Sequence, residues 1–589
     1  MNREPYLTLR DFDVWFAKRR GFLESLRRVE PAYVKAVDGV DLDVGKGEVF
    51  CLVGESGCGK TTTGKGILGL VPPTRGDVFV NVPAEELSRY AKAKEDGDEA
   101  TLEAFRRRHS LSYQEKAVWR LKDVLVFVLA AAAGLFASAL IGAGLALAIQ
   151  ETVGGGWLFL AFLIDGIVLG FLGTLPFVKA ANRVPAYLAL AALLQTQLLL
   201  LFFFAFARVV RGLPADLGSA AGDLGSIWGK DFGQILIQVG YAFLGVLATW
   251  QSAKIFMGYW QLKKGIETDR FRRLRKTLQI IFQDPYESLN PKHSVYDIVS
   301  EPLIVNRLTH GRAETETRVE KALGDAGLRP PRDFMFRYPH ELSGGQRQRV
   351  SIAGALVLDP DFLVADEPVS MLDVSIRTEI VELLLELRKQ KGLTYLFITH
   401  DLSLAWVIAD RIGVMYLGKI VEEGPKEQVV RSPRHPYTQA LITVVPVPDP
   451  DRRHQRTILK GERPDPSDIP AGCRFHPRCP VAFEACGWEA HELLDDLKSL
   501  AAASGREPKF LASLAVDGPL ALSYPEDSEE AETWLREQME KKADEFRSLK
   551  AIRAIERANG GMRILLHEGR EPVLKTVAPE VRVSCHLMG

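Results

Sequence analysis

The sequence predicts an α/β domain that is interrupted by an all-α insertion of four transmembrane helices and followed by a C-terminal cysteine-containing extension. Three apolar runs, TLQIIFQ, FLVADE and TYLFITH, alternate with helical patterns, which is typical of a parallel sheet covered by helices. Four long apolar segments interrupt this pattern, and three cysteines cluster in the tail. The chain of 589 residues is long enough for two to four domains.

The overall composition argues against several classes of protein. With 74 basic and 75 acidic residues, the net charge of -1 gives no electrostatic reason to expect a nucleic-acid partner. The N-terminal stretch MNREPYLTLR is charged and lacks an apolar core, so we see no secretory signal and expect residue 1 in the cytoplasm. Six cysteines in so long a chain do not indicate a disulfide scaffold.

Residues 1–82 are predicted to form the first part of the α/β domain. LTLRDFDVWF and AVDGVDLDV alternate apolar and polar positions and lead into the apolar run VFCLVG, a pattern of strands that feed a buried strand. TTTGKGILGLV then predicts a helix, and GDVFVNV a further strand. The second part of the domain is assigned to residues 270–430, where the remaining buried-strand runs lie.

A phosphate-binding loop is predicted at the turn after VFCLV. GESGCGKT fits the pattern G-x-x-x-x-G-K-[ST] between a strand and a helix. In such a loop the backbone N–H groups surround the phosphates, Lys60 reaches the β and γ oxygens, and Thr61 offers its hydroxyl to Mg²⁺. The residues predicted to bind the nucleotide in this loop are Gly54, Glu55, Ser56, Gly57, Cys58, Gly59, Lys60, Thr61 and Thr62.

The run FLVADE supplies the acidic groups that a phosphate-binding loop needs for chemistry. Asp366 is expected to hold Mg²⁺ through water, and Glu367 to orient or deprotonate the attacking water. An accidental glycine-rich turn would not be accompanied by an apolar strand that ends in two acids. These two motifs alone indicate a nucleoside triphosphatase.

The segment ELSGGQRQR narrows the class further. A serine and two glycines open the helix GGQRQRVSIAGALV, so free N–H groups and a helix N-terminus lie where a γ-phosphate could bind. This segment resembles the LSGGQ signature of the ATP-binding cassette (ABC) family. The resemblance implies a head-to-tail dimer with ATP at its interface, in which the partner's ATP contacts Ser343, Gly344, Gly345 and Gln346.

Other positions of the ABC family follow in the same order. Gln283 in IIFQDP matches the loop that senses the membrane domain and Mg²⁺, Asp373 in SMLDVS matches the inter-subunit loop, and His400 in FITHD matches the switch histidine near the γ-phosphate. His400 ends an apolar strand 33 residues after Glu367, which favours a functional over a structural histidine. The resemblance thus implies the catalytic residues Glu367, His400 and Gln283 and the Mg²⁺ ligands Thr61, Gln283 and Asp366.

The sequence does not decide the roles of Phe16 and Met371. Phe16 is a candidate for stacking on the adenine ring, and a role in the core of its strand is equally compatible with the pattern. Met371 in SMLD stands where the family usually has alanine. A larger apolar side chain there can alter dimer contacts but removes no catalytic group.

Longer stretches resemble one branch of the family, the ATPase subunits of oligopeptide and dipeptide importers, and in particular the F-type subunit. They are VGESGCGKTT, IFQDPYESLNP, YPHELSGGQRQR, RHPYTQALI and GCRFHPRCPVAFEAC. The resemblance implies a paralogous second ATPase, two permease subunits and an extracytoplasmic solute-binding protein, with peptides, oligosaccharides or nickel as solutes. The alternatives are an exporter half-transporter, which usually carries six helices before or after its ATPase, and a non-transport ABC ATPase, against which the membrane segments argue.

The insertion is assigned to residues 83–269. After a charged helical stretch, PAEELSRYAKAKEDGDEATLEAFRRR, four segments each match a hydrocarbon core of ~30 Å. Both ends join strands that the family connects directly, so an even number of crossings keeps the ATPase and the C-terminal extension on the cytoplasmic face of the cell membrane. Asp165 is expected to face the bundle interior beside Gly166 and Gly170. The predicted spans are 124–149, 157–178, 185–207 and 232–250.

The extension, residues 431–589, contains the cysteines. The spacing C-x5-C-x6-C of Cys473, Cys479 and Cys486, with Cys585 near the end, differs from the C-x2-C pairs of a zinc ribbon. It resembles the tail of the importer ATPases, where four such cysteines can hold a [4Fe-4S] cluster, and the resemblance implies that cofactor beside ATP and Mg²⁺. Structural zinc and no metal are the alternatives. The segment AETWLREQMEKKADEFRSLKAIRAIERA predicts a solvated helix.

Overall fold

The computed structural model describes residues 4–18, 33–113, 274, 276–444, 459, 461–504, 508–558 and 560–588. The chain divides into one unit of residues 1–113 and 270–589 and a second unit of residues 114–269. The second unit lies outside the described residues, and with it the four predicted spans, Asp165, Gly166 and Gly170. None of the helices in the described ranges is long and apolar enough to cross a membrane.

The secondary structure of the described residues is as follows. The strands are β1 (Pro5–Ala17), β2 (Tyr33–Gly45), β3 (Val49–Val53), β4 (Arg75–Val80), β5 (Leu278–Ile281), β6 (Phe362–Asp366), β7 (Thr394–Thr399), β8 (Arg411–Tyr416), β9 (Lys419–Pro425), β10 (Ala515–Val516), β11 (Ala521–Tyr524), β12 (Ile552–Ala558), β13 (Gly561–Leu566), β14 (Lys575–Ala578) and β15 (Val581–Val583). The helices are α1 (Lys60–Ile67), α2 (Ala84–Glu95), α3 (Glu99–His109), α4 (Pro285–Ser288), α5 (Val295–Val305), α6 (Arg312–Asp325), α7 (Arg332–Met335), α8 (Gly344–Leu356), α9 (Val374–Lys391), α10 (Leu402–Ile408), α11 (Lys426–Arg431), α12 (Pro436–Val444), α13 (Ala490–Ser504) and α14 (Glu529–Lys542).

The central sheet of the described unit has the strand order β14-β15-β9-β8-β3-β7-β6-β5. Strands β8, β3, β7, β6 and β5 run parallel to one another, and β9 pairs antiparallel with β8. Every residue of β3, β6 and β7 is buried, because helices or a second sheet cover both faces. The predicted α/β fold with a buried parallel sheet is therefore confirmed.

Helix α1 lies between the central sheet and an antiparallel sheet of order β2-β1-β4. Two glycines allow this close packing. A Cβ atom on Gly64 would lie 2.8 Å from Val364 Cγ1 of β6, and one on Gly66 would lie 2.8 Å from Phe12 Cζ of β1. The two sheets therefore fix the position of α1, and with it the turn that precedes it.

The first residues of the predicted insertion pack on β4. Tyr90 of α2 and Phe105 of α3 contact Phe79 at ring-centroid distances of 5.1 and 5.5 Å. Below them, the carboxylate of Asp77 accepts hydrogen bonds from the Tyr90 hydroxyl and from Arg106 Nε, both at 2.8 Å. The charged stretch of residues 84–109 therefore has a buried aromatic face as well as a solvated one.

The extension contains a second antiparallel sheet of order β10-β11-β13-β12. The prediction of one solvated helix across AETWLREQMEKKADEFRSLKAIRAIERA is wrong, since α14 ends at Lys542 and IRAIERA forms β12. The physical reason is cross-strand pairing. Ile552 and Ile555 lie opposite Leu566 and Ile564 of β13, which buries apolar surface that a solvated helix would expose.

The last strands of the chain extend the central sheet. β15 pairs antiparallel with β9, where Val583 lies opposite Glu422 and Arg582 opposite Glu423. Glu423 is buried, and its carboxylate accepts hydrogen bonds from Arg582 Nε at 2.7 Å and from Arg411 at 3.2 Å. The extension and the α/β domain thus share one sheet.

Candidate functional site

The phosphate-binding loop follows β3 and ends in α1. Gly57 and Gly59 have φ angles of 75° and 108°, values that favour glycine. The Lys60 ammonium is buried and donates hydrogen bonds to the carbonyl oxygens of Gly54 and Glu55 at 2.8 and 3.0 Å. The lysine therefore lies folded across its own loop, and its charge points into the space that the loop encloses. Cys58 is buried, and its Sγ lies 3.8 Å from the Lys60 ammonium, whereas Thr62 lies in the first turn of α1.

Topology brings the predicted chemical groups together at one edge of the sheet. β3, β7, β6 and β5 are adjacent and parallel, so their carboxyl ends meet. The loop at Gly54, the acids Asp366 and Glu367, His400 and Gln283 each follow one of these strands. Residues that are far apart in the sequence thus lie side by side.

Asp366 and Thr61 form the first contact of this edge. Thr61 Oγ1 donates a hydrogen bond to Asp366 Oδ1 at 2.8 Å. Burial raises the pKa of Asp366, and the Thr61 hydroxyl offsets part of that effect. A carboxylate and a hydroxyl oxygen are ligands that Mg²⁺ accepts, so the pair is suited to hold the ion beside the phosphates.

Glu367 is the centre of the second contact. Gln283 Nε2 donates to Glu367 Oε2 at 3.3 Å, and His400 Nδ1 lies 3.1 Å from the same oxygen. Glu367 has a left-handed φ of 45°, a costly backbone conformation that is held by a hydrogen bond from its N–H to the Ile398 carbonyl at 3.0 Å. The three predicted catalytic side chains therefore meet at one carboxylate oxygen.

The signature residues open α8. The Ser343 hydroxyl accepts a hydrogen bond from the Gln346 N–H, and the Gln346 side chain accepts one from the Ser343 N–H. A Cβ atom on Gly345 would lie 2.6 Å from Ile376 Cγ2, whereas one on Gly344 would meet no atom closer than 3.6 Å. The helix N-terminus is thus well ordered, and α8 packs on α5 and α6.

Asp373 caps the next helix. Its carboxylate accepts hydrogen bonds from the Ile376 N–H at 3.1 Å and from the Ser375 hydroxyl at 2.8 Å, and these bonds lower the pKa of Asp373. Nearby, the Met371 side chain is 59% exposed, which leaves it available to a dimer partner.

Phe16 lies at the end of β1 opposite Val34 of β2. Its side chain is 44% exposed, whereas Phe12 and Val14 of the same strand are fully buried. Phe16 therefore does not lie in the core beside Phe12 and Val14. Its exposed ring offers the flat surface that stacking on a base requires.

The four cysteines of the extension line one small pocket, together with His435 and Phe475. The Cys473 N–H donates to the Cys486 carbonyl at 2.8 Å, and β15 delivers Cys585 to the same place. The 98 residues between Cys486 and Cys585 include the separate sheet, two helices and the strands β14 and β15 that return to the central sheet, so their number does not hinder the approach.

Burial raises the pKa of all four thiols, that of Cys473 and of Cys479 to about 12. Within the part of the chain that the structure describes, no group of three or more His, Cys, Asp or Glu side chains is arranged to hold one metal ion.

Three residues that touch the phosphate-binding loop were missed from the sequence. Tyr437, Arg463 and Arg478 all belong to the extension and all contact Glu55, Ser56 or both. Arg478 lies in the motif GCRFHPRCP, whose cysteines carry the recognisable pattern. The signal that could have indicated it is the pair of arginines, Arg474 and Arg478, between Cys473 and Cys479.

Two models of known protein families match the chain. The model of the ABC transporter family matches residues 37–134 and 246–370, and the model described as "Oligopeptide/dipeptide transporter, C-terminal region" matches residues 421–486. A solved structure of cbiO1 from Clostridium perfringens matches at 16% identity over 73% of this chain and 92% of that one, with a TM-score of 0.36, too low to carry an argument.

Relatives match the chain more closely. The dipeptide transport ATP-binding protein DppF of Haemophilus influenzae is 47% identical over 231 residues, which are 39% of this chain and 69% of the relative. The oligopeptide transport ATP-binding protein AppF of Bacillus subtilis is 49% identical over 217 residues, 36% of this chain and 65% of the relative. The chain therefore belongs to the family of ABC transporter ATP-binding subunits that includes the oligopeptide and dipeptide transport ATPases.

Proposed function

We propose that this chain hydrolyses ATP to power the uptake of oligopeptides or dipeptides by an ABC importer. The observation that carries the hydrolytic role is the shared contact of Gln283 and His400 with Glu367 Oε2, beside the Thr61–Asp366 pair. Support for the solute class comes from the relatives named as dipeptide and oligopeptide transport proteins and from the match of residues 421–486. Oligosaccharides and nickel are the alternative solutes that the same kind of ATPase could serve.

Each group at the sheet edge has a defined task in this proposal. Lys60 and the loop N–H groups bind the β- and γ-phosphates, and Thr61, Asp366 and Gln283 would hold Mg²⁺, which neutralises phosphate charge. Glu367 accepts a proton from the attacking water. His400, which lies against Glu367, keeps that carboxylate oriented and reaches toward the γ-phosphate side of the site.

A second ATPase completes the site. Ser343, Gly344, Gly345 and Gln346 would contact ATP held by the partner, because the ordered N-terminus of α8 presents N–H groups that have no phosphate of their own chain to bind. Asp373 and the exposed Met371 would lie in the inter-subunit contact. The partner is a paralogue, and the two ATPases act with two permeases and an extracytoplasmic solute-binding protein.

We further propose that the cysteines bind a [4Fe-4S] cluster. Cys473, Cys479, Cys486 and Cys585 line one pocket, and four thiolates are the donor set of such a cluster. A bound cluster would also supply the positive charge that buried thiolates require. Its role would be structural. Anaerobically purified chain should contain about four iron and four sulfide, whereas zinc in their place would reject the cluster.

The four apolar segments form a membrane anchor in this proposal, with the ATPase and the extension on the cytoplasmic face. The anchor would tether the ATPase beside the permeases and would not itself conduct solute. Cysteines introduced at Gly155 and Ser219 should be labelled by an impermeant maleimide from outside, and a cysteine at Asn182 only from inside. Outside labelling at Asn182 would reject this topology.

The function is tested on the intact complex, purified with its ATPase and permease partners in lipid. The rate of ATP hydrolysis should rise when solute-binding protein loaded with a dipeptide is added, and not when unloaded protein or protein loaded with an oligosaccharide is added. A complex that responds only to oligosaccharide would overturn the peptide assignment but not the ATPase. A complex whose hydrolysis ignores every loaded binding protein would overturn the importer itself.

A further inference from the structure

The extension contacts the phosphate-binding loop through a bidentate salt bridge. Arg478 Nη1 donates to Glu55 Oε2 at 2.9 Å, and Arg478 Nη2 donates to Glu55 Oε1 at 3.0 Å. The side chains of Arg478 and Glu55 are 10% and 29% exposed. A parallel, partly buried pair of this kind is among the strongest and most directional contacts that side chains form.

Two further side chains of the extension, Tyr437 and Arg463, bond to the loop at Glu55 and at the next residue, Ser56. The Glu55 N–H donates to the Tyr437 hydroxyl at 3.0 Å. Arg463 donates to the Ser56 carbonyl, and its guanidinium lies so close to Gly57 that a Cβ atom there would be 2.9 Å from Arg463 NH1. The backbone of Glu55, its carboxylate and the next carbonyl group are thus all bonded to the extension.

Glu55 presents an electrostatic problem that these contacts solve. A carboxylate in a loop that binds a triphosphate repels the ligand unless a cation lies beside it. The Lys60 ammonium donates to the carbonyl oxygens of Gly54 and Glu55 and not to the Glu55 carboxylate. Arg478 neutralises that carboxylate, and its planar fork also fixes the direction in which Glu55 points.

We propose that Arg478 is a positioning residue for ATP: it holds the phosphate-binding loop in its binding shape through Glu55, so that the cysteine-bearing extension is a working part of the nucleotide site. Arg478 occupies the short 3-10 helix His476–Arg478 and is directly followed by Cys479. Arg478 is therefore held in place by the same segment that carries Cys479, one of the residues that line the cysteine pocket. ATP affinity depends on the extension as well as on the α/β domain.

The test compares Arg478→Met and Arg478→Lys with wild type in the purified complex, with the KM for ATP and kcat measured separately. Arg478→Met should raise the KM for ATP about ten-fold, as expected if the loop is in its binding shape for about a tenth of the time, and should leave kcat within about two-fold. Lysine keeps the charge without the fork, so Arg478→Lys should give an intermediate KM.

Arg582→Met is the matched control. Arg582 also belongs to the extension and also pairs with a buried glutamate, Glu423, but the contacts that the structure describes for it, with Glu423 and the Asp41 carbonyl, do not include the phosphate-binding loop. The control should lower thermal stability without changing the KM for ATP. An equal rise in KM in Arg478→Met and Arg582→Met would mean that general loosening of the extension is responsible, and would overturn the proposal.

Arg478→Lys covers the case in which Arg478→Met folds poorly, and an unchanged KM in that variant would equally overturn the proposal. Adding Glu55→Gln to Arg478→Met removes the carboxylate that the arginine no longer neutralises, so the KM of the double variant should recover only in part. An unchanged KM in Arg478→Met, or a full return to the wild-type KM in the double variant, would mean that Arg478 has no positioning role. The assay needs ATP alone, so its outcome is independent of which solute the complex carries.

Discussion

Replacing Glu367 by glutamine separates proton transfer from the architecture of the site. Gln283 Nε2 and His400 Nδ1 both approach the same oxygen, Glu367 Oε2, at 3.3 and 3.1 Å. The carbonyl oxygen of a glutamine side chain can occupy that position and accept both bonds. Glu367→Gln therefore keeps the contacts and the volume, and it removes only the group that can accept a proton.

The expected loss of hydrolysis rate follows from the role of Glu367 as the general base. A positioned general base typically contributes about 10²- to 10⁴-fold, so Glu367→Gln should raise the barrier by about 2.7 to 5.4 kcal/mol. His400→Ala keeps the base and deletes one contact with it, and a hydrogen bond to a charged group is worth about 1.5 to 3 kcal/mol. The histidine variant should therefore lose about 10- to 100-fold and be no slower than the glutamate variant.

Single-turnover hydrolysis of radiolabelled ATP by the purified complex measures this loss, because it reports the chemical step at one site. Bound ATP should remain at wild-type stoichiometry in Glu367→Gln. Glu316→Gln, which replaces a glutamate paired with Arg312 on an exposed helix face, is the control and should hydrolyse at the wild-type rate. Single turnover by Glu367→Gln within ten-fold of wild type would refute the assignment of the base.

Three further substitutions test other parts of the site. Phe16→Ala should raise the KM for ATP about ten-fold if the exposed ring stacks on adenine, a contact worth about 1 to 3 kcal/mol, and an unchanged KM would leave Phe16 without that role. Ser343→Arg places a bulky cation where the partner's γ-phosphate should bind, so ATP-dependent dimerisation, measured by light scattering, should be lost while each chain still binds ATP; retained dimers would contradict the signature assignment. Cys479→Ser should lower the iron content of anaerobically purified protein from about four per chain and should also raise the KM for ATP, because Arg478 precedes it; unchanged iron would remove Cys479 from the ligand set.

The parallel sheet and the ATP site could be predicted from the sequence because both depend on local patterns. β3, β6 and β7 are mostly apolar and entirely buried runs, and the functional residues lie at or just after their ends. Parallel strands end at one edge of a sheet, so the order of motifs along the chain was sufficient to bring Glu367 and His400 together. The left-handed φ of Glu367 could not be predicted, since it depends on a bond to the neighbouring strand.

The extension was predicted less well because its contacts are long-range. Arg478 and Glu55 are 423 positions apart, and no local periodicity indicates that they meet. The strand IRAIERA resembles a helical continuation of α14 until its partner GMRILL is considered. Apolar residues on short edge strands are ambiguous in a single sequence, because pairing and not propensity decides their structure.

The most direct test of the central claim is the direction of transport in proteoliposomes. The complex is reconstituted with its solute-binding protein and a radiolabelled dipeptide on one side, and with ATP and Mg²⁺ on the side that carries the ATPase. The account predicts that the dipeptide accumulates on the ATPase side only when ATP is present, and that Glu367→Gln abolishes the accumulation. ATP-dependent movement of dipeptide away from the ATPase side, or accumulation that survives Glu367→Gln, would contradict it.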